Sequence, residues 1–134
     1  MKSAAGFSMV ELAVALAISS VLASMAVPTY RAQKLRSHRA EATQTLQRLQ
    51  LAQEQYRESH GAYAQSLTEL PGNWSGQSAN GLYQISLVGQ GPQAYQVVAD
   101  AAGRQADDSE CQRFSMRIEG ALSHQEPSAS CWPT

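Results

Sequence analysis

Charged side chains are missing from a long stretch near the start of this 134-residue chain, where none occurs between Leu12 and Tyr30. Such a stretch is no ordinary surface helix. Neither Gly nor Pro occurs between Arg31 and Ser59, so nothing there interrupts a helix. Cysteine is nearly absent, with only Cys111 and Cys131. That excludes a four-sulfur metal centre and a dense disulfide scaffold. The three histidines, His38, His60 and His124, have no cysteine or carboxylate at metal or triad spacing, and all three read as surface residues. No glycine-rich phosphate loop is present. Gly72-Asn73-Trp74-Ser75-Gly76 lacks the Gly-x-Ser-x-Gly spacing of a nucleophile elbow. The chain is therefore expected not to be an enzyme and to use no cofactor or metal. Bases are scarce late in the chain. From Ser59 onward, Glu69, Asp100, Asp107, Asp108, Glu110, Glu119 and Glu126 face only Arg104, Arg113 and Arg117, an excess of four negative charges. A phosphate backbone gains nothing from such a surface, so a nucleic-acid partner is not expected.

What is present begins with Gly6-Phe7-Ser8-Met9-Val10-Glu11, which opens an apolar run reaching Val27 and punctuated by Pro28. At ~1.5 Å rise per residue the uncharged stretch crosses most of a bilayer's hydrocarbon core. One carboxylate, Glu11, stands just inside its start. A lone ionisable group in such a segment is costly to bury and marks a functional position if a partner can be named. Cleavage between Gly6 and Phe7 supplies one, because the new α-amino group of Phe7 lies one helical turn from Glu11 and can pair with it.

Lys2 in a very short leader, Gly6 before the cut, Phe7 after it, Ser8-Met9-Val10-Glu11, the apolar helix and Pro28 together resemble the N-terminus of a type IV prepilin, the class III signal. The family more often has Thr where Ser8 stands. The resemblance implies that a membrane-embedded prepilin peptidase cuts after Gly6 and methylates Phe7, and that Glu11 helps bring subunits into a growing filament. Late in the chain, Cys111, an alternating strand, Gly120 and Cys131-Trp132 resemble the end of PilE-like minor pilins. Tyr56, Gly61-Ala62-Tyr63 and Ser66-Leu67 resemble their helix-to-loop junction.

Two plainer readings compete. An ordinary signal peptide would use Lys2 and a cut near Ser24-Met25-Ala26, but Glu11 would then interrupt its apolar region and Pro28 would lie close behind the cut. A plain membrane anchor would give Glu11 no role. Flanking charge also points the wrong way for an exported head, because Arg31, Lys34, Arg36 and Arg39 follow the helix while only Lys2 and the initiator amine precede it. The cysteine pair argues for export. With nineteen residues between them, Cys111 and Cys131 read most simply as a disulfide closing a C-terminal loop, contributing ~3 kcal/mol in the chain-entropy model, with two unrelated thiols as the alternative.

Beyond Pro28, which should bend the helix or loosen the turn before it, good helix formers continue to Ser59. Leu35, Ala42, Leu46, Leu49 and Tyr56 form one apolar stripe. Gly61 is a natural stop. The basic group Arg31, Lys34, Arg36 and Arg39 reads as a contact for lipid headgroups, as a partner for acids of neighbouring subunits, or as a solvated face. Residues 61–81 read as a loop in which Tyr63, Leu67 and Leu70 tuck against the helix. Strands are expected around Tyr83–Val88, Tyr95–Ala99 and Arg113–Ile118, with a short edge at Ala121–Ser123. Asp107-Asp108-Ser109-Glu110 lacks the spacing of a calcium loop and reads as a solvated acidic turn.

The expected fold is α+β: a long N-terminal helix with a three- to four-stranded antiparallel sheet packed on its C-terminal half, which is also the pilin fold the resemblance implies. The expected division is a leader at 1–6, a hydrophobic transmembrane and assembly helix at 7–30, and a head at 31–134. Within the head, an amphipathic helix occupies 31–60, a loop 61–81, and a sheet with a disulfide loop 82–134. The reading is a minor type IV pilin. It is inserted in the bacterial inner membrane with its head in the periplasm, then packed into a pilus at the cell surface, with other pilins, the prepilin peptidase and the inner-membrane assembly platform as partners. The alternatives are a type II secretion pseudopilin and a periplasmic binding domain released by signal peptidase.

Overall fold

A computed structural model describes residues 6–132 of the chain. Residues 1–5 of the expected leader, Lys2 among them, lie outside the described residues. One helix, α1, runs from Met9 to His60. The side chain of Ser8 accepts a hydrogen bond from the Val10 amide (3.3 Å) and its carbonyl accepts one from Leu12, so a serine placed just ahead of the apolar run caps the helix. At the other end Gly61 follows with φ +74°, a left-handed conformation that glycine adopts without a Cβ clash. The chain forms two compact units, one to Lys34 and one from Leu35. Within the first, α1 carries no charged side chain from Leu12 to Tyr30, and its side chains are exposed.

In the second unit, four strands follow α1: β1 (Tyr83–Gly89), β2 (Ala94–Ala101), β3 (Arg113–Glu119) and β4 (Leu122–Glu126). They form one antiparallel sheet in sequence order. Its register places Ile85 opposite Ala99, Leu87 opposite Val97, Val97 opposite Met116 and Tyr95 opposite Ile118. Because side chains alternate along a strand, Tyr83, Ile85, Tyr95, Val97, Ala99, Phe114, Met116 and Ile118 all reach one face. There they form the core with Ala42, Leu46, Leu49 and Ala52 of α1. The expected architecture is therefore present, with four strands. Leu35 and Tyr56, the ends of the expected stripe, are only half-buried, while Thr43, Thr45 and Gln53 are buried beside its centre. Thr45 satisfies its hydroxyl on the Glu41 carbonyl (2.7 Å).

The segment 61–81 is a loop with a 3-10 turn at Leu67–Glu69. It is tied to the helix by Gln53, which donates to the Ala64 carbonyl and accepts from the Ala64 amide, both at 2.9 Å. A buried amide bonded on both sides satisfies its polar atoms where water is absent. Tyr63 and Leu70 are buried as expected, and Leu67 packs at the margin of the core. Between β2 and β3 the expected plain loop contains a second 3-10 turn, Gly103–Asp107. The edge strand β4 extends to Glu126, further than its polar sequence suggests, because the ladder with β3 continues to Ser115↔Glu126.

Candidate functional site

The N-terminal segment is built for burial against something outside this chain. Phe7, Met9, Val10, Leu12, Leu16, Leu22 and Met25 are each more than half exposed. Gly6 and Phe7 precede α1, and Glu11 stands in its first turn. In the uncleaved chain the Phe7 nitrogen is a peptide nitrogen, so a charged amine beside Glu11 arises only through cleavage. Pro28 lies within α1 and cannot donate to the turn before it. Three hydroxyls of the segment turn inward on the backbone: Ser20 donates to the Ala17 carbonyl (2.8 Å), Ser24 to Val21 (2.7 Å) and Thr29 to Met25 (3.2 Å). These three are satisfied within the helix, which suits an apolar environment.

In the head, the readings of Arg39, Asp108 and His38 need correction. The sequence places Arg39 in one basic group with Arg31, Lys34 and Arg36, and Asp107–Glu110 in a solvated turn. Instead Arg39 is buried and grips Asp108 in bidentate fashion, Nε to Oδ2 at 2.6 Å and Nη2 to Oδ1 at 2.7 Å, while Nη2 also reaches Glu110 Oε2 at 3.0 Å. Asp108 is itself buried. The hydrogen bond from the Arg39 guanidinium, outweighing burial, holds the Asp108 carboxyl below the usual carboxylate range, and the same bond raises Arg39 above its usual value. Asp108 is thus a structural tie gripped on both oxygens, while Asp107, Ser109 and Glu110 of the turn are exposed. The overlooked signal was spacing: Arg39 precedes Ala42, Leu46 and Leu49 at intervals of three, four and three, on the buried stripe.

His38 is likewise not a surface residue. It is half-buried, with Nδ1 3.0 Å from Gln105 Oε1, and Gln105 Nε2 donates to the Leu35 carbonyl and to the Tyr83 hydroxyl, both at 3.0 Å. Burial pushes the Tyr83 phenol up to about 12 against the opposing pull of that bond. Nothing in the sequence marks Gln105, because a glutamine in a polar loop carries no signal. Cys111 and Cys131 are joined by a disulfide, Cα atoms 5.7 Å apart, which ties the segment after β4 to the start of β3. Glu41 holds the 73–81 loop through the Asn80 amide (2.9 Å) and side chain (2.8 Å). Burial works against this carboxylate's ionisation, but bonds from Ser78, Asn80 and the Leu82 backbone outweigh it and lower its pKa. Two shallow grooves flank α1 in the head. One of about 570 Å³ is lined by Gln44, Gln47 and Arg48, the other of about 330 Å³ by Glu54, Arg57 and Ser123. Among the described residues, no three His, Cys, Asp or Glu side chains gather as metal ligands.

A family model described as "Type IV minor pilin ComP, DNA uptake sequence receptor" matches residues 28–115. A model of the prokaryotic N-terminal methylation motif matches residues 1–27. Comparison with curated proteins finds no match.

Proposed function

The chain belongs to the family of type IV minor pilins whose model covers most of its length, and from that footing we propose how its parts act. It is a minor type IV pilin, a membrane-anchored subunit or assembly factor of a pilus filament. Residues 1–6 form the leader, 7–30 the anchor and 31–134 the head. Prepilin peptidase cuts between Gly6 and Phe7 and methylates Phe7, a reading supported by the methylation-motif match over both residues. The protein inserts in the inner membrane with its head in the periplasm, and the assembly platform then passes it into the filament among other pilins. The observation that carries this is a contrast in burial: the head closes its own core, while the apolar segment before it is exposed throughout. Packing of the 7–27 helices from several subunits covers that surface. Glu11 meets a Phe7 amino group there and sets register, because an unpaired carboxylate in such a core penalises a slipped subunit. Pro28 gives the helix a compliant point where neighbours converge.

Mass spectrometry of the mature N-terminus is expected to show methylated Phe7; a start at Val27 would leave only a domain released by signal peptidase. Glu11→Ala is expected to deplete the protein from sheared filaments while its head still melts as in the parent. Unchanged filament content would remove the register role.

The matching description also names a DNA uptake sequence receptor. For this chain we place the subunit role first, because residues 59–134 carry seven acids against three bases, and four of the nine bases in the head are paired with acids: Arg39 with Asp108, Arg57 with Glu54, Arg113 with Asp100 and Arg117 with Glu119. Affinity for duplex DNA rests on cations that displace counterions from phosphate. The purified protein is expected to shift no DNA duplex at physiological salt, and a specific shift would make it a receptor as well.

A further inference from the structure

The end of the apolar segment carries a small basic group in the same compact unit. Tyr30 is 69% exposed, Arg31 and Lys34 are exposed too, and Arg31 has no acidic partner among the described residues. Three positions apart on a helix, Arg31 and Lys34 share a face, with Val27 and Tyr30 one turn before them on it. The face therefore passes from apolar to aromatic to basic within two turns. That is the order of environments from hydrocarbon to headgroup at a membrane surface. Length adds a second constraint. Glu11 and Arg31 lie within one uninterrupted helix, and the twenty-residue step between them rises about 30 Å, the thickness of a bilayer's hydrocarbon core.

Resting on the membrane-anchored reading, we propose that Arg31 and Lys34 bind the phosphate headgroups of anionic lipid at one membrane face, and that this contact holds Glu11 at the opposite interface until assembly. Two cations one turn apart complement phosphodiester oxygens, and their continuity with the apolar helix fixes where those oxygens lie. The cost of an ionised Glu11 in hydrocarbon is thereby avoided before assembly. The carboxylate is enclosed only once a neighbouring subunit supplies an amine.

The test uses the full chain in nanodiscs of phosphatidylethanolamine with a minority of phosphatidylglycerol, reading retained lipid by native mass spectrometry. Parent protein is expected to retain phosphatidylglycerol preferentially, and R31Q/K34Q to lose that preference several-fold. The control R48Q/R104Q removes the same charge from two exposed head residues and is expected to leave it unchanged. Equal retention in all three proteins would overturn the proposal, as would displacement by added inorganic phosphate, which would assign the cations to a free anion. Since the described chain has no free cysteine, Met9→Cys accepts a single spin label for the depth measurement. Its collision rate with a water-soluble nickel complex is expected to fall in the R31Q/K34Q background, and an unchanged rate would overturn the depth claim. A chain that failed to enter nanodiscs at all would remove the membrane reading itself, and the proposal with it.

Discussion

Arg39 is the residue whose surroundings matter most to the head. Its guanidinium is buried and bonded to both oxygens of Asp108, a carboxylate that is buried as well. Breaking such a pair from one side leaves an uncompensated charge, so Arg39→Ala is expected to cost about 3–5 kcal/mol, read by denaturant unfolding of the full chain in detergent. Replacing the pair together with apolar residues of similar volume is expected to cost much less. The pair also sets an acid limit. Because the folded pKa of Asp108 lies below its unfolded value, its contribution is complete above about pH 4 and is lost as pH falls through the folded value. Melting temperature against pH should show that acid limb in the parent and a shallower one in Arg39→Ala.

Within α1, the two faces of the head-bearing half differ in what they hold. Leu46 has no exposed surface and packs in the core, whereas Leu51 is 60% exposed. Leu46→Ala is expected to destabilise the head by about 2–5 kcal/mol, through lost burial and the cavity left behind. Leu51→Ala should stay within about 0.5 kcal/mol, and chemical denaturation of both variants checks the contrast. The periodicity that places Leu46 inside was readable because apolar residues recur at helical spacing. The limits of the stripe were not. Leu35 and Tyr56 satisfy the same spacing but are only half-buried.

For the molecule as a whole, the 103–111 segment is held by the Arg39–Asp108 pair, by the bonds of Gln105 to Leu35 and Tyr83, and by the disulfide at Cys111. The disulfide closes a loop of about twenty residues, and by the chain-entropy model its loss costs about 3 kcal/mol. A Cys111→Ala/Cys131→Ala protein is expected to lose about 3 kcal/mol of unfolding free energy, and so to melt at a lower temperature, yet keep the far-ultraviolet circular dichroism of the parent at neutral pH. Loss of folded signal would mean that the core and the ion pair cannot hold the head without it. Filament incorporation should survive in this variant if the head still folds, because the apolar segment proposed to carry assembly is unchanged.

The sequence by itself determined the long helix, its apolar first half, the places of the strands along the chain and the N-terminal motif. Each of these rests on local chemistry: hydrophobic period, helix-forming residues, and a cleavage junction read along the chain. It also pointed to Glu11, since a carboxylate among apolar neighbours is conspicuous without any fold. Tertiary structure alone decided the fate of Arg39, Asp108, His38 and Gln105. A charge in sequence carries no sign of whether its helix face is covered, and a polar loop gives no sign of which side chains turn inward. The sheet covers that face, the 103–111 loop closes over it, and burial then obliges each of these groups to find a partner.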